Sequence, residues 1–238
     1  MGSIGVIVVA AGRGSRMGTA ESKQYLLLKE KPIVVHTLEV FERIAEVSSV
    51  VLVVGAQDVE RNEAFVRQYR LSKVKAVVAG GRERQESVYF GLQALPARLE
   101  WILVHDGVRP FVQEADVLRC WRKARDTGAA VLAVPVKDTI KVVDAGGEIR
   151  STPDRSSLWA IHTPQAFRAD WLRDAHEQAR EHSFLGTDDA MVVERAGHTV
   201  HVVEGSYTNV KITTPEDLQL AEWLLSARQT ETKGEETK

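Results

Sequence analysis

Residues 4–25, IGVIVVAAGRGSRMGTAESKQY, decide the fold. Ile4, Val6, Ile7, Val8 and Val9 form a short β-branched apolar run, the composition of a strand covered on both faces. Ala10, Ala11, Gly12 and Gly14 follow, where bare backbone can approach a ligand. Arg13, Arg16 and Lys23 place three cations on the same loop, with no acid before Glu21. Exposed backbone N–H groups beside fixed positive charge suit a polyphosphate. The glycines at 12, 14 and 18 match neither the Walker A spacing nor G-x-G-x-x-G. Taken alone, the loop remains compatible with an ordinary βα turn, and the basic residues favour phosphate.

Outward from this stretch, apolar runs alternate with helical patterns. Strands are expected at Val50 to Val54, Val74 to Val78, Trp101 to Val104 and Ala130 to Val134. Helices are expected from Pro32 to Ala45, at Asp58 to Arg70, Glu83 to Leu95 and Glu114 to Asp126. This alternation predicts an α/β fold, a Rossmann-like, mostly parallel sheet with helices on both faces. After Pro135 the rhythm breaks. Lys137 to Val143 and Glu148 to Ser151 flank Ala145-Gly146-Gly147, a hairpin signal. Its apolar residues are few (Ile140, Val142, Val143, Ile149), so it protrudes from the parallel sheet, either as a solvent-facing excursion or as an arm packed on something outside its own subunit. Helices at Asp170 to His182 and Asp188 to Ala196, strands at Thr199 to Val203 and Val210 to Ile212, and a last helix opened by Thr214-Pro215-Glu216-Asp217 complete the pattern.

The net charge of −2 provides no global basic field, which argues against non-specific nucleic-acid binding and requires any cationic site to be local. The single cysteine, Cys120, allows no intrachain disulfide and fits a buried, inert thiol. No signal peptide or membrane-spanning apolar run is evident, so a cytoplasmic location is expected. Residues 229–238, QTETKGEETK, lack apolar content and are expected to form a disordered tail behind a single domain, 1–228.

Ligands of open parallel sheets bind beyond the carboxyl ends of the strands. Four such ends carry small, basic or hydroxyl residues. They are the loop from Gly12 to Lys23; Gly80-Gly81-Arg82 with Arg84 and Ser87; His105-Asp106-Gly107-Val108-Arg109; and Lys211 in TNVKITTPED. His105, His162 and the five tryptophans fit packing roles, and Asp188-Asp189 fits a helix N-terminus.

AAGRGSRMG and KQY, followed in order by AGGRERQESV, LVHDGVRPF, PVKDTIK, LWAIHTPQAF, GTDDA and VEGSYTNVKIT, resemble the nucleotidyltransferases that join a nucleoside triphosphate to a sugar or polyol phosphate. Within that group the words are most similar to the 2-C-methyl-D-erythritol 4-phosphate cytidylyltransferases of the non-mevalonate isoprenoid pathway. The resemblance implies that a CTP-binding segment comprises Ala10, Ala11, Gly12, Arg13, Gly14, Gly80, Gly81, Arg82 and Ser87. It implies that Arg16 and Lys23 are catalytic, gripping the triphosphate. It further implies that Asp106, Arg109, Thr139, Arg155 and Lys211 position methylerythritol phosphate. Residues 136–158 would be a dimerisation arm through which Thr139 and Arg155 reach the neighbouring subunit's site. Mg²⁺ would be bound mainly through the CTP phosphates. Arg82 departs from the pattern, because many relatives carry an acid there.

The chemistry is consistent with this. A phosphate monoester, with a second pKa of about 6, is already a dianionic nucleophile at neutral pH and needs no general base. Catalysis then rests on positioning and on cationic stabilisation of the charge that moves onto pyrophosphate. Asp106 has three readings: contact with acceptor hydroxyls, ligation of Mg²⁺, or capping of the next turn. Ribitol 5-phosphate remains an alternative acceptor, and a non-catalytic nucleotide-binding regulator remains an alternative class.

Overall fold

The computed structural model describes residues 3–12 and 21–235. The predicted first strand is β1 (Ile4–Ala10), and a small hairpin of β2 (Leu27–Leu28) and β3 (Lys31–Pro32) leads into α1 (Ile33–Arg43). The alternation continues through β4 (Val47–Val54), α2 (Val59–Gln68), β5 (Val74–Ala79), α3 (Arg84–Ala94), β6 (Trp101–Asp106), α4 (Glu114–Thr127) and β7 (Ala129–Pro135). The arm follows as β8 (Val142–Val143) and β9 (Ile149–Ser151), paired antiparallel and exposed throughout. Then come β10 (Trp159–Arg168), α5 (Ala169–Glu181), α6 (Asp189–Arg195), β11 (His201–Glu204) and α7 (Pro215–Glu235).

The seven-stranded sheet has the order β11-β7-β10-β6-β1-β4-β5. Every neighbouring pair is parallel except the two made by β10, which runs antiparallel to both β6 and β7. Because side chains alternate along β1, Val6 and Val8 join a core beneath α1, α2 and α4, while Ile7 joins the opposite core beneath α3, α5 and α6. A third, smaller cluster packs α7 against Leu28, Ile33, Val108 and Phe111. Cys120 is fully buried, and burial pushes its thiol pKa up to about 12, which makes it inert. No helix among the described residues is long and apolar enough to cross a membrane.

Two expectations require correction. The first is β10, which reasoning from the sequence passed over. Its apolar alternation is broken by His162, Thr163, Pro164 and Gln165, where the register with β7 shifts. A proline within a strand is accommodated at such an irregularity. The second is Val210 to Ile212, which pairs with no strand. Ile212 N–H instead donates to the Val108 carbonyl at 2.9 Å. The backbone of α7 continues to Glu235. The predicted helix start holds. The Asp217 carboxylate accepts from Thr214 N–H at 2.9 Å, and the Thr214 hydroxyl accepts from Asp217 N–H at 3.4 Å, a reciprocal cap.

Gly91 lets α3 lie directly on the sheet. A Cβ there would sit 2.6 Å from Ile7 Cγ2. Gly91→Ala should therefore destabilise the protein by about 1–3 kcal/mol in urea titration, as an overpacked core substitution does. If helix propensity governed instead, the variant would gain about 1 kcal/mol, and a gain would contradict the packing account.

Candidate active site

The carboxyl ends of β1, β5 and β6 open into one cleft. Val9 to Gly12 form its floor, Lys23 and Gln24 one wall, and Gly81 to Arg84 with Ser87 another; Asp106, Val108 and Lys211 close it. The Gln24 amide donates to the Ala10 carbonyl at 2.8 Å, which ties the far end of the β1 loop back to its start. Gly80 lies just behind the lining. A Cβ there would come within 2.6 Å of Ala11 Cβ and 2.7 Å of Ser87 Oγ, so the close approach of the two strand ends requires glycine. The Ser87 hydroxyl accepts from Gly81 N–H at 3.1 Å and donates to the Glu83 carbonyl at 3.1 Å, which shapes this loop from within.

Asp106 is the centre of the cleft's electrostatics. It is only 6% exposed, yet three cations surround it. Arg84 Nε lies 3.3 Å from Oδ1, Lys211 Nζ 2.9 Å from Oδ2, and Arg109 Nε 3.5 Å from Oδ2. Burial alone would raise its pKa; the combined fields of Arg84, Lys211 and Arg109 outweigh that and hold the carboxyl well below the usual range. Both oxygens are thus occupied by cations. Among the described residues no group of three His, Cys, Asp or Glu side chains could hold a metal ion.

The backbone at Asp106 is fixed by a relay with a determined direction. Asp106 N–H donates to Thr163 Oγ1 at 3.1 Å, Thr163 Oγ1 lies 3.0 Å from His105 Nδ1, and His105 Nε2 lies 3.1 Å from the Arg109 carbonyl. A carbonyl only accepts, so Nε2 bears the proton and Nδ1 accepts from Thr163. Burial pushes the His105 pKa down to about 4, so it stays neutral and structural, as expected. Arg109 Nη1 donates to the Asn209 carbonyl at 2.7 Å, and the Asn209 amide donates to the Thr163 carbonyl at 2.8 Å. These bonds hold the segment bearing Lys211 against β6 and β10.

The structure therefore gathers Ala10, Ala11, Gly12, Lys23, Gly81, Arg82, Ser87, Asp106 and Lys211 around one cleft. Arg109 sits behind Asp106 rather than in the lining. Arg13, Gly14 and Arg16 lie outside the described residues. Thr139 and Arg155 are exposed on the arm and line no part of this cleft; Arg155 Nη1 donates to the Lys137 carbonyl at 2.8 Å. Thr163 and Gln24 were not singled out by sequence, and Arg84 was noted only as a basic residue at the end of β5, without a role. Asp188 caps α6 as expected, accepting from Met191 N–H at 2.9 Å, but Asp189 does not. It is buried, with Oδ2 2.7 Å from Arg84 Nη1.

The profile of the IspD family, 2-C-methyl-D-erythritol 4-phosphate cytidylyltransferase, matches residues 4–227. The chain is 48% identical over 224 residues to the 2-C-methyl-D-erythritol 4-phosphate cytidylyltransferase of Alkaliphilus metalliredigens (strain QYMF), covering 94% of this chain and 93% of the relative. It is 49% identical over 225 residues to the enzyme of the same description from Geobacillus kaustophilus (strain HTA426), covering 94% and 98%. The crystal structure of 4-diphosphocytidyl-2C-methyl-D-erythritol synthase from Anaerococcus prevotii DSM 20548 superposes with a TM-score of 0.83 at 32% identity, covering 94% of this chain and 96% of that one. The cytidylyltransferase structure from Thermus thermophilus gives 0.76 at 33% identity, covering 94% and 98%. With a profile matched almost end to end and a phosphate-suited cleft at the expected strand ends, the chain belongs to the 2-C-methyl-D-erythritol 4-phosphate cytidylyltransferase family.

Proposed function

We propose that the chain transfers CMP from CTP to 2-C-methyl-D-erythritol 4-phosphate, releasing pyrophosphate and forming the CDP-methylerythritol intermediate of isoprenoid precursor synthesis. The family match over residues 4–227 carries this reading. The acceptor's phosphate oxygen attacks the α-phosphorus of CTP, the bond to the bridging oxygen breaks, and the electron pair leaves with pyrophosphate. No side chain needs to remove a proton, because the attacking group is already an anion. Lys23 and Lys211, two ammonium groups lining one cleft, offset the repulsion between the two polyanions and the charge that develops on the leaving group. Arg13 and Arg16 would add to this from the β1 loop. The backbone at Ala10 to Gly12 and Gly80 to Arg82 reads the cytidine, and ionised Asp106 accepts hydrogen bonds from the acceptor's hydroxyls. Mg²⁺ would arrive on the CTP phosphates as part of the substrate. Both substrates are phosphorylated metabolites, which supports a cytoplasmic site of action.

The arm completes the site of a second subunit in this reading. It exposes Ile140, Val142, Val143 and Ile149, and it carries Thr139 and Arg155 away from the cleft of its own chain. A symmetric dimer would cover those apolar residues and bring Thr139 and Arg155 to the acceptor in the neighbouring chain's site.

Three outcomes test the proposal. Pyrophosphate release should require CTP and methylerythritol phosphate; turnover with ribitol 5-phosphate alone would overturn the acceptor assignment, and Lys23→Ala should lose roughly 10²–10³ in kcat, like the deletion of one transition-state donor. The acid limb of kcat/KM should follow the acceptor's own ionisation near pH 6, because protonation weakens the nucleophile. Asp106 is held ionised far below that, so Asp106→Asn should lower the profile while leaving its limb in place; disappearance of the limb would assign it to Asp106. Mixing Lys23→Ala with Arg155→Ala should restore activity once subunits exchange, since one hybrid site keeps both side chains, and no recovery after proven exchange would contradict sharing across subunits.

A further inference from the structure

Arg84 lines the cleft, yet the proposed reaction gives it no direct contact. It begins α3, and its guanidinium is held on two edges. Nε meets Asp106 Oδ1 at 3.3 Å, and Nη1 meets Asp189 Oδ2 at 2.7 Å. Asp189 is 1% exposed and belongs to α6. Its other oxygen, Oδ1, lies 3.1 Å from Nε2 of fully buried His176 on α5. An ionised carboxylate can only accept, so Nε2 bears the proton and donates. Burial again opposes ionisation of Asp189, and Arg84 and His176 together reverse it, leaving its pKa below the usual range. The carboxylate therefore remains a fixed anion behind the arginine.

A guanidinium bound by one carboxylate at the end of a flexible stem can rotate about that contact. Bound on two edges by carboxylates from different elements, its plane is set. The charges also partition. Arg84, Arg109 and Lys211 face Asp106 and Asp189, so three cations meet two anions. Lys211 is the most exposed of the three cations, at 38%. Asp189 offsets the charge of Arg84, which leaves the surplus on Lys211, where a phosphate can reach it. When Lys211 turns toward substrate phosphate, Asp106 keeps Arg84 and stays oriented.

We propose that Asp189, steadied by His176, is a positioning residue: it locks Arg84 in the plane that aims the Asp106 carboxylate at the hydroxyls of the phosphorylated polyol. This deepens the proposed function and rests on it. Asp189 acts through Arg84 and touches neither substrate.

A double-mutant cycle in the pyrophosphate-release assay tests this, with KM measured separately for CTP and for methylerythritol phosphate. Asp189→Asn should lower kcat/KM for the acceptor on the order of 10²-fold, as a misaimed group does, while the KM for CTP moves little. In an Arg84→Gln background the same substitution should change acceptor kcat/KM less than about twofold, because coupled residues are non-additive. Equal losses in both backgrounds, or unchanged acceptor kcat/KM in Asp189→Asn, would overturn the proposal. Should Asp189→Asn fail to fold, His176→Gln, which keeps a donor toward Asp189, is compared with His176→Leu, which does not. Only the leucine variant should raise the acceptor KM, and equal effects would overturn the proposal. Wild-type turnover in the same assay separates the two claims: without it the proposed function fails, and with it only the positioning role is at stake.

Discussion

A carboxylate almost wholly removed from water sets the terms for the rest of this molecule. Burying an ion costs several kcal/mol even after relaxation, and the penalty is offset only by close partners of opposite charge. Asp106 meets that requirement with Arg84, Arg109 and Lys211, drawn from the start of α3, the turn after β6 and the segment after β11. Those three elements must converge for the charge to be tolerated. Their convergence is also what forms the cleft. The sheet order places β6 beside β1, so the carboxylate and the phosphate-suited loop end up as neighbours at one rim.

The supports around Asp106 are directional. Thr163 receives its N–H, His105 receives from Thr163, and Arg109 is pinned to Asn209. Two of these groups, the Thr163 hydroxyl and the carbonyl that binds the Asn209 amide, come from β10, the one strand that runs against the rest. The reversal of β10 thus has a consequence for chemistry. It inserts a polar stretch between β6 and β7, where an apolar side chain at position 163 would supply no hydroxyl to orient the site.

That same strand explains the limits of the sequence reading. Parallel strands buried on both faces announce themselves as apolar runs, and β1, β4, β6 and β7 were legible for that reason. His162 to Gln165 break the run in β10, so its pattern resembles a loop. The loop residues of the cleft were legible because strand ends in such sheets are where ligands bind. Lys23, Asp106 and Lys211 could be found in this way, and the words they share with a known family specified the substrates. The pairing of Arg84, Asp189 and His176 could not. It joins α3, α6 and α5 through buried side chains, and no local pattern, such as an acidic pair at a helix start, distinguishes a cap from an ion pair. Asp188 and Asp189 are adjacent in sequence and opposite in role: one caps α6, the other faces inward to Arg84.

The account stands on Asp106 being an anion pinned by its neighbours. A carbon-13 NMR titration of the aspartate carboxyls, with Asp106→Asn used to assign the resonance, tests that directly. The prediction is an Asp106 signal that shows no inflection in the ordinary carboxylate range of about 3.5–4.5 and stays ionised as other aspartates protonate. An inflection within or above that range would mean that the three cations do not hold the charge, and the architecture proposed for the site would be wrong.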